Sequence, residues 1–226
     1  MKDGGENWQR GHRARLREKF LAGKLADYEL LELLLGYAIL RRDVKPIAKE
    51  LIKKFGNVHK VLTADVPDMC GSAGVGANSA ILISLVRELM LCAYRGDMRE
   101  VPLFHDAQRL YDYCRLRLMG KRAEEFHILY MDDVRRLLQD DAHSVGTMDH
   151  VAVYPREVLK RALDLNAKFV ALYHNHPDGN RNFSAADIEI TMEIKKILAG
   201  VGVEVVDHLL LSDDLVFSAK NMFLYK

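Results

Sequence analysis

The stretch His174-Asn175-His176-Pro177-Asp178-Gly179-Asn180-Arg181-Asn182-Phe183-Ser184-Ala185-Ala186-Asp187 follows an apolar run, Phe169-Val170-Ala171-Leu172-Tyr173. The run reads as a buried strand. Strand alternation puts His174 and His176 on one side, where both imidazoles can reach a common ion. Pro177 and Gly179 turn the chain away from the sheet. Ser184 stands where a helix should begin. Asp187, three residues on, projects a carboxylate from the first turn back towards the loop. Two neutral ring nitrogens and one carboxylate suit zinc, with a fourth position left for water. Each piece also has an ordinary use. A lone histidine is more often a surface or core residue, Ser184 with Asp187 makes a helix cap, and Pro177-Asp178-Gly179 is a turn. Their assembly behind one apolar strand is what points to a metal.

A three-ligand zinc site needs a base, because the water it binds must lose a proton as it attacks a carbonyl. Glu125 stands directly before a second apolar strand, Phe126-His127-Ile128-Leu129-Tyr130-Met131, and can lie beside the strand carrying His174. Glu124 is its immediate rival.

Outward from the motif, the pattern predicts a mixed helix and strand region. An amphipathic helix is expected over residues 106–119, with Leu110, Tyr111, Cys114 and Leu118 on one face. Asp132-Asp133 marks a turn, with a hairpin partner over 136–142. Pro155 opens a helix reaching Asn166, and another helix covers 184–198. Strands follow at 203–211 and 215–218. The first hundred residues read differently, as helices only. Asp27 is expected to cap one, Asp43 to start another, and Gly56 to close it. Residues 78–94 look helical, and the polar 95–102 segment, ending in Pro102, reads as a linker. The expected organisation is α+β: a helical domain over 1–100, then a domain over 101–226.

Composition narrows the class. The 226 residues are 49% hydrophobic with a net charge of +1, which argues against a disordered chain and against a wholly basic nucleic-acid coat. Residues 1–60 carry 14 Lys/Arg against 8 Asp/Glu, and residues 101–226 carry 16 against 19. A mildly basic front and a mildly acidic back suggest two units with different partners, although a solvated helical surface gives the same count. Three scattered cysteines, none in a C-x-x-C pair, fit a reducing compartment and exclude a disulfide framework. The polar first residues lead into no apolar signal region, and the run around residues 30–40 is broken by Glu32. A soluble, cytoplasmic protein with no membrane partner is expected.

His-x-His-Pro-x6-Ser-x2-Asp is the JAMM, or MPN+, metalloprotease motif, and in its context the chain resembles the RadC family. The resemblance extends along most of the chain. Arg13-Ala14-Arg15-Leu16-Arg17-Glu18-Lys19-Phe20, residues 25–35 and Arg41-Arg42-Asp43-Val44-Lys45-Pro46 match the family's opening. Gly146-Thr147 and Tyr154-Pro155-Arg156-Glu157-Val158 precede the metal motif, and Asp207-His208 follows it. One departure is Asp178-Gly179, where members commonly have Ser-Gly; it should tune the rim of the site.

The resemblance implies a JAMM fold, a cytidine-deaminase-like mixed sheet flanked by helices. It also implies one Zn2+ per chain on His174, His176 and Asp187, and hydrolysis of a peptide or isopeptide bond in a protein or peptide substrate. It points to Glu125 rather than Glu124 as general acid/base, to Ser184 as an oxyanion partner, and to Asp207 and His208 as groups orienting the ligands. Gly74-Val75-Gly76 resembles the hairpin of a helix-hairpin-helix domain, which implies phosphate contact at Gly74 and Gly76 and a DNA partner for the front domain. A DNA-associated protein is therefore the alternative function. A scaffold without chemistry has no need of all five motif residues. A deaminase would need His-x-Glu with Pro-Cys-x-x-Cys, which is absent.

Overall fold

A computed structural model describes residues 4–102, 107–145 and 153–222. The chain divides into two compact units, Met1–Leu89 and Met90–Lys226. The first is helical: α1 (Gly4–Leu21), α2 (Asp27–Ala38), α3 (Lys45–Phe55), α4 (Val58–Thr63), α5 (Val66–Cys70) and the start of α6 (Ala77–Glu100). Its core joins Leu31 and Leu35 of α2, Ile47, Ala48 and Leu51 of α3, and Ala80 and Ile83 of α6. Asp27 lies inside α2 rather than capping it. The cap is Ala26, whose N–H is taken by the carboxylate of Glu29 at 3.1 Å. Asp43 accepts from the N–H of Lys45 at 3.0 Å, and Gly56 ends α3 at φ +100°.

Between α5 and α6, Gly74 has φ +86°, and a β-carbon there would sit 2.9 Å from Cδ1 of Ile47. Only glycine combines that backbone with so close an approach to α3. Packing therefore accounts for Gly74, while Gly76 faces open space. The segment expected as a linker is helix as far as Glu100. Leu91 and Met98, seven residues apart, are buried in the core of the second unit, and Asp97 and Arg99 are outer positions of the same turns. Pro102 follows the helix end. By length and composition α6 is also apolar enough to cross a membrane. Only 28% of that stretch is buried: Ala80 and Ile83 lie in the first core and Leu91 and Met98 in the second, while Ile81, Leu85 and Leu89 stay exposed.

The second unit continues with α7 (Ala107–Leu118), β1 (Glu125–Met131), β2 (Leu137–Val145), α8 (Pro155–Asp164), β3 (Phe169–His176), α9 (Ala185–Ala199), β4 (Glu204–Ser212) and β5 (Leu215–Ser218). Asp106 and Gly146-Thr147, singled out in the sequence, lie outside the described residues. The five strands form one mixed sheet in the order β2-β1-β3-β4-β5. β3 and β4 are parallel, joined by α9, and the other pairs are antiparallel. The fold class is α+β.

Both faces of the sheet are covered. Leu129, Met131, Ala171, Tyr173, Leu209 and Leu211 pack with α7 on one face. Phe126, Ile128, Tyr130, Val170 and Leu172 pack with α8 and α9 on the other. His174 continues the parity of Val170 and Leu172, so it belongs to the α9 face. Antiparallel pairing sets Phe126 opposite His174. In β4 the alternation breaks: Val170 pairs with Val205, but Ala171 pairs with Asp207, leaving Val206 as an extra residue. This bulge puts His208 opposite Leu172, on the α9 face, and Asp207 opposite Ala171, on the α7 face.

Candidate metal centre

The end of β3 and the first turn of α9 bring two imidazoles and a carboxylate together. Nε2 of His174 lies 3.1 Å from Nε2 of His176. Oδ1 of Asp187 is 3.4 Å from the first and Oδ2 is 3.4 Å from the second. Glu124 joins them, with one donor atom of each of the four residues within 4.8 Å of the others. Two ring nitrogens and a carboxylate oxygen held about 2.0–2.2 Å from a tetrahedral zinc are separated by about 3.3 Å. The observed spacing fits that ion.

The protonation pattern also fits, and it follows from partners rather than assumption. The Thr191 hydroxyl lies 2.5 Å from the carbonyl oxygen of Asp187, which can only accept, so the single Thr191 hydrogen is spent there. Thr191 must then accept from Nδ1–H of His208, 2.6 Å away. Burial, reinforced by the neighbouring His174, holds the His208 pKa well below its ordinary value and keeps the ring neutral. Its Nε2 is therefore bare and accepts from Nδ1–H of His174 at 2.8 Å. That leaves a lone pair on Nε2 of His174, aimed at the cluster. On the other ligand, Nδ1–H of His176 donates to the carbonyl of Asn180 at 3.0 Å, which leaves Nε2 for the ion. Two facing lone pairs 3.1 Å apart need a cation between them, either a proton or a metal.

The electrostatics match. Burial opposes charge on Asp187, but His174, His176 and Ser184 outweigh it and hold the carboxyl well below the usual carboxylate range. Burial likewise opposes a charged His176, and Asp187, the Asn180 carbonyl and Glu124 together raise its pKa in spite of it. Phe126 stacks on His174 with ring centres 5.9 Å apart, and Phe183 meets both His174 and His208 edge-on. These rings wall His174 and His208 off from water.

Residues 104–223 match the RadC-like JAB domain. Over most of its length the chain also resembles two curated relatives. A UPF0758 protein of Fusobacterium nucleatum is 36% identical, with 94% of this chain and 96% of that protein covered. A UPF0758 protein of Ruegeria pomeroyi is 39% identical, with 94% and 97% covered. The chain belongs to the RadC family. Within its JAB domain the structure brings together His174, His176 and Asp187, as the motif implies, and sets Ser184 beside them.

Ser184 caps α9. Its hydroxyl accepts from the Asp187 N–H at 3.1 Å and donates to Oδ2 of Asp187 at 2.7 Å. Its one hydrogen is thus committed to holding the ligand carboxylate, and an oxyanion duty would require that hydrogen to change partner. His208 holds His174, as expected of a group orienting a ligand. Asp207 does not take part. It faces α7, where it accepts from the N–H of His208 and Lys220 and from the hydroxyl of Ser218 at 2.6 Å, tying β4 to β5. Thr191 stands out by nothing in the sequence, because a threonine inside an amphipathic helix carries no signal of its own.

The largest correction concerns Glu125. It shares the face of Leu129 and Met131, away from the cluster. There it meets Nε2 of His127 at 3.1 Å and Nζ of Lys121 at 3.0 Å. The hydrogen bond from His127 is the main reason its pKa falls to about 2. Glu124 has the parity of Phe126 and therefore that of His174, and it is the carboxylate beside the ligands.

His208→Phe is expected to keep the ring and remove the acceptor for His174 Nδ1–H. Zinc affinity, read by competition with a chromophoric chelator, should fall roughly 10–100-fold. Asp207→Asn should leave it unchanged. Wild-type affinity in His208→Phe would discard the proton chain described above.

Proposed function

We propose that this RadC-family protein is a zinc-dependent hydrolase that cleaves a peptide or isopeptide bond. The observation that carries the reading is the directed proton chain Thr191–His208–His174, which leaves a bare ring nitrogen facing His176 and Asp187 with a further carboxylate at hand. His174, His176 and Asp187 would hold one zinc ion. When bound, zinc supplies a water of lowered pKa and polarises a substrate carbonyl.

The chain's own residues supply the rest. Glu124 accepts a proton at its carboxylate as water attacks the carbonyl carbon, and returns it to the leaving amine nitrogen. Ser184 fixes the Asp187 carboxylate. Phe126 and Phe183 keep the His174 ring dry, which strengthens each polar contact it makes. Membership of a family whose JAB domains are usually hydrolytic supports the same reading.

The test is a mass-spectrometric screen of the zinc-loaded full chain against a library of peptides and isopeptide-linked peptides. Products that disappear with chelator and return with zinc are expected. Full zinc occupancy with no product from either bond class would overturn the proposal.

A further inference from the structure

Backbone pairing between β1 and β3 stops at Phe126 and His174. Beyond that rung a side chain takes over. Asn175, the residue between the two histidine ligands, is 3% exposed. Its Oδ1 accepts from the N–H of Glu125 at 2.9 Å, and its Nδ2 donates to the carbonyl of Ala123 at 3.1 Å. The orientation of the amide is forced, because an N–H can only donate and a carbonyl can only accept. These two bonds grip the main chain on either side of one residue, Glu124.

We infer that Asn175 is a positioning residue: a two-point clamp that presents the Glu124 carboxylate to the metal cluster. This rests on the hydrolase reading for the purpose of the presentation, but the clamp itself is a matter of geometry. Glu124 precedes β1 and pairs with no residue of β3, so among the described residues the Asn175 clamp is what ties its backbone to the strand that carries the proposed ligands. From the same face as Asn175, the Glu125 side chain anchors the strand start through Lys121 and His127. One motif segment thereby sets two kinds of group, the imidazoles through alternation and the carboxylate through the residue between them. Outer partners of this kind matter because a reacting group must be held to within a fraction of an ångström.

The experiment uses the full chain loaded with Co2+, whose visible absorption reports on the groups around the ion. Asn175→Ala is compared with wild type, with Glu124→Gln and with the double variant, each at equal metal occupancy and with its thermal midpoint recorded. Glu124→Gln is expected to shift the bands. Asn175→Ala should produce most of the same shift, and the double variant should add nothing beyond Glu124→Gln. Asn175→Asp keeps the acceptor for Glu125 N–H and loses the donor to Ala123, so an intermediate shift is expected; it serves as the test if the alanine variant fails to fold. A wild-type spectrum in folded Asn175→Ala or Asn175→Asp, or shifts that add in the double variant, would overturn the clamp. So would bands unmoved by Glu124→Gln, since there would then be no presented carboxylate. If the spectra behave as expected while the cleavage screen yields no product, the clamp stands and the hydrolase reading falls.

Discussion

Asp187→Ala is expected to retain almost no zinc after loading and dialysis, where the wild-type chain keeps about one ion, as measured by mass spectrometry of the metal. The residue does three things at once. It offers the only carboxylate among the three proposed ligands, with Oδ1 3.4 Å from His174 Nε2 and Oδ2 3.4 Å from His176 Nε2. It accepts from Ser184 N–H and Oγ–H, both at 2.7 Å, which fixes the first turn of α9. It also balances the positive charge of a cation held between the two imidazoles. The loss should exceed the roughly 10–100-fold expected from removing an outer partner such as His208. Part of any stability change belongs to the cap, about 1 kcal/mol. Asp187→Asn separates the two effects, because an amide oxygen can still accept from Ser184 N–H but brings no charge. A folded Asp187→Ala chain that keeps a full complement of zinc would place the ion elsewhere and end the assignment.

The second large effect distinguishes two adjacent carboxylates. Once a cleavable substrate is in hand, Glu124→Gln should lower turnover by about 10²–10⁴-fold, the usual worth of a positioned acid/base group, with zinc retained. Glu125→Gln should leave turnover within a few-fold of wild type. It should instead destabilise the second unit by about 1–3 kcal/mol, because Lys121 loses the carboxylate it pairs with and His127 keeps only Asp140. The sign with pH follows from the direction of the shift. The Glu125 pKa falls from 4.5 to about 2 on folding, so its contribution is present above pH 4.5 and is lost as pH falls towards 2. The stability of Glu125→Gln should lack that acid-side dependence. If Glu125→Gln is the inactive variant and Glu124→Gln the active one, the site is misassigned.

Much of this was legible in the residues. His174, Pro177, Ser184 and Asp187 announce a strand, a turn and a helix start in order, since each residue type has a local physical reason to stand there. The strand does end at His176, and Ser184 does cap α9. The strands expected at 203–211 and 215–218 form as β4 and β5. Polarity alone misleads at Asp97 and Arg99, which look like a linker yet share their helical turns with buried Leu91 and Met98. A run of charge states that a surface is wet and does not state that the chain has stopped being helix.

The sequence by itself determined the candidate ligand set, the α+β class and the capped helix that carries Asp187, because all of these depend on contacts close along the chain. Only the tertiary structure settled which glutamate, and which member of Asp207-His208, faces the cluster. In β1 both faces are apolar, with Phe126 and Ile128 on one and Leu129 and Met131 on the other, so alternation gives no clue to the inward side. The register with β3 sets it, by placing Phe126 opposite His174. In β4 one extra residue, Val206, reverses the parity that simple alternation would assign, turning His208 inward and Asp207 away. Register and bulges arise from pairing between distant strands, and a shift of one residue exchanges the two faces.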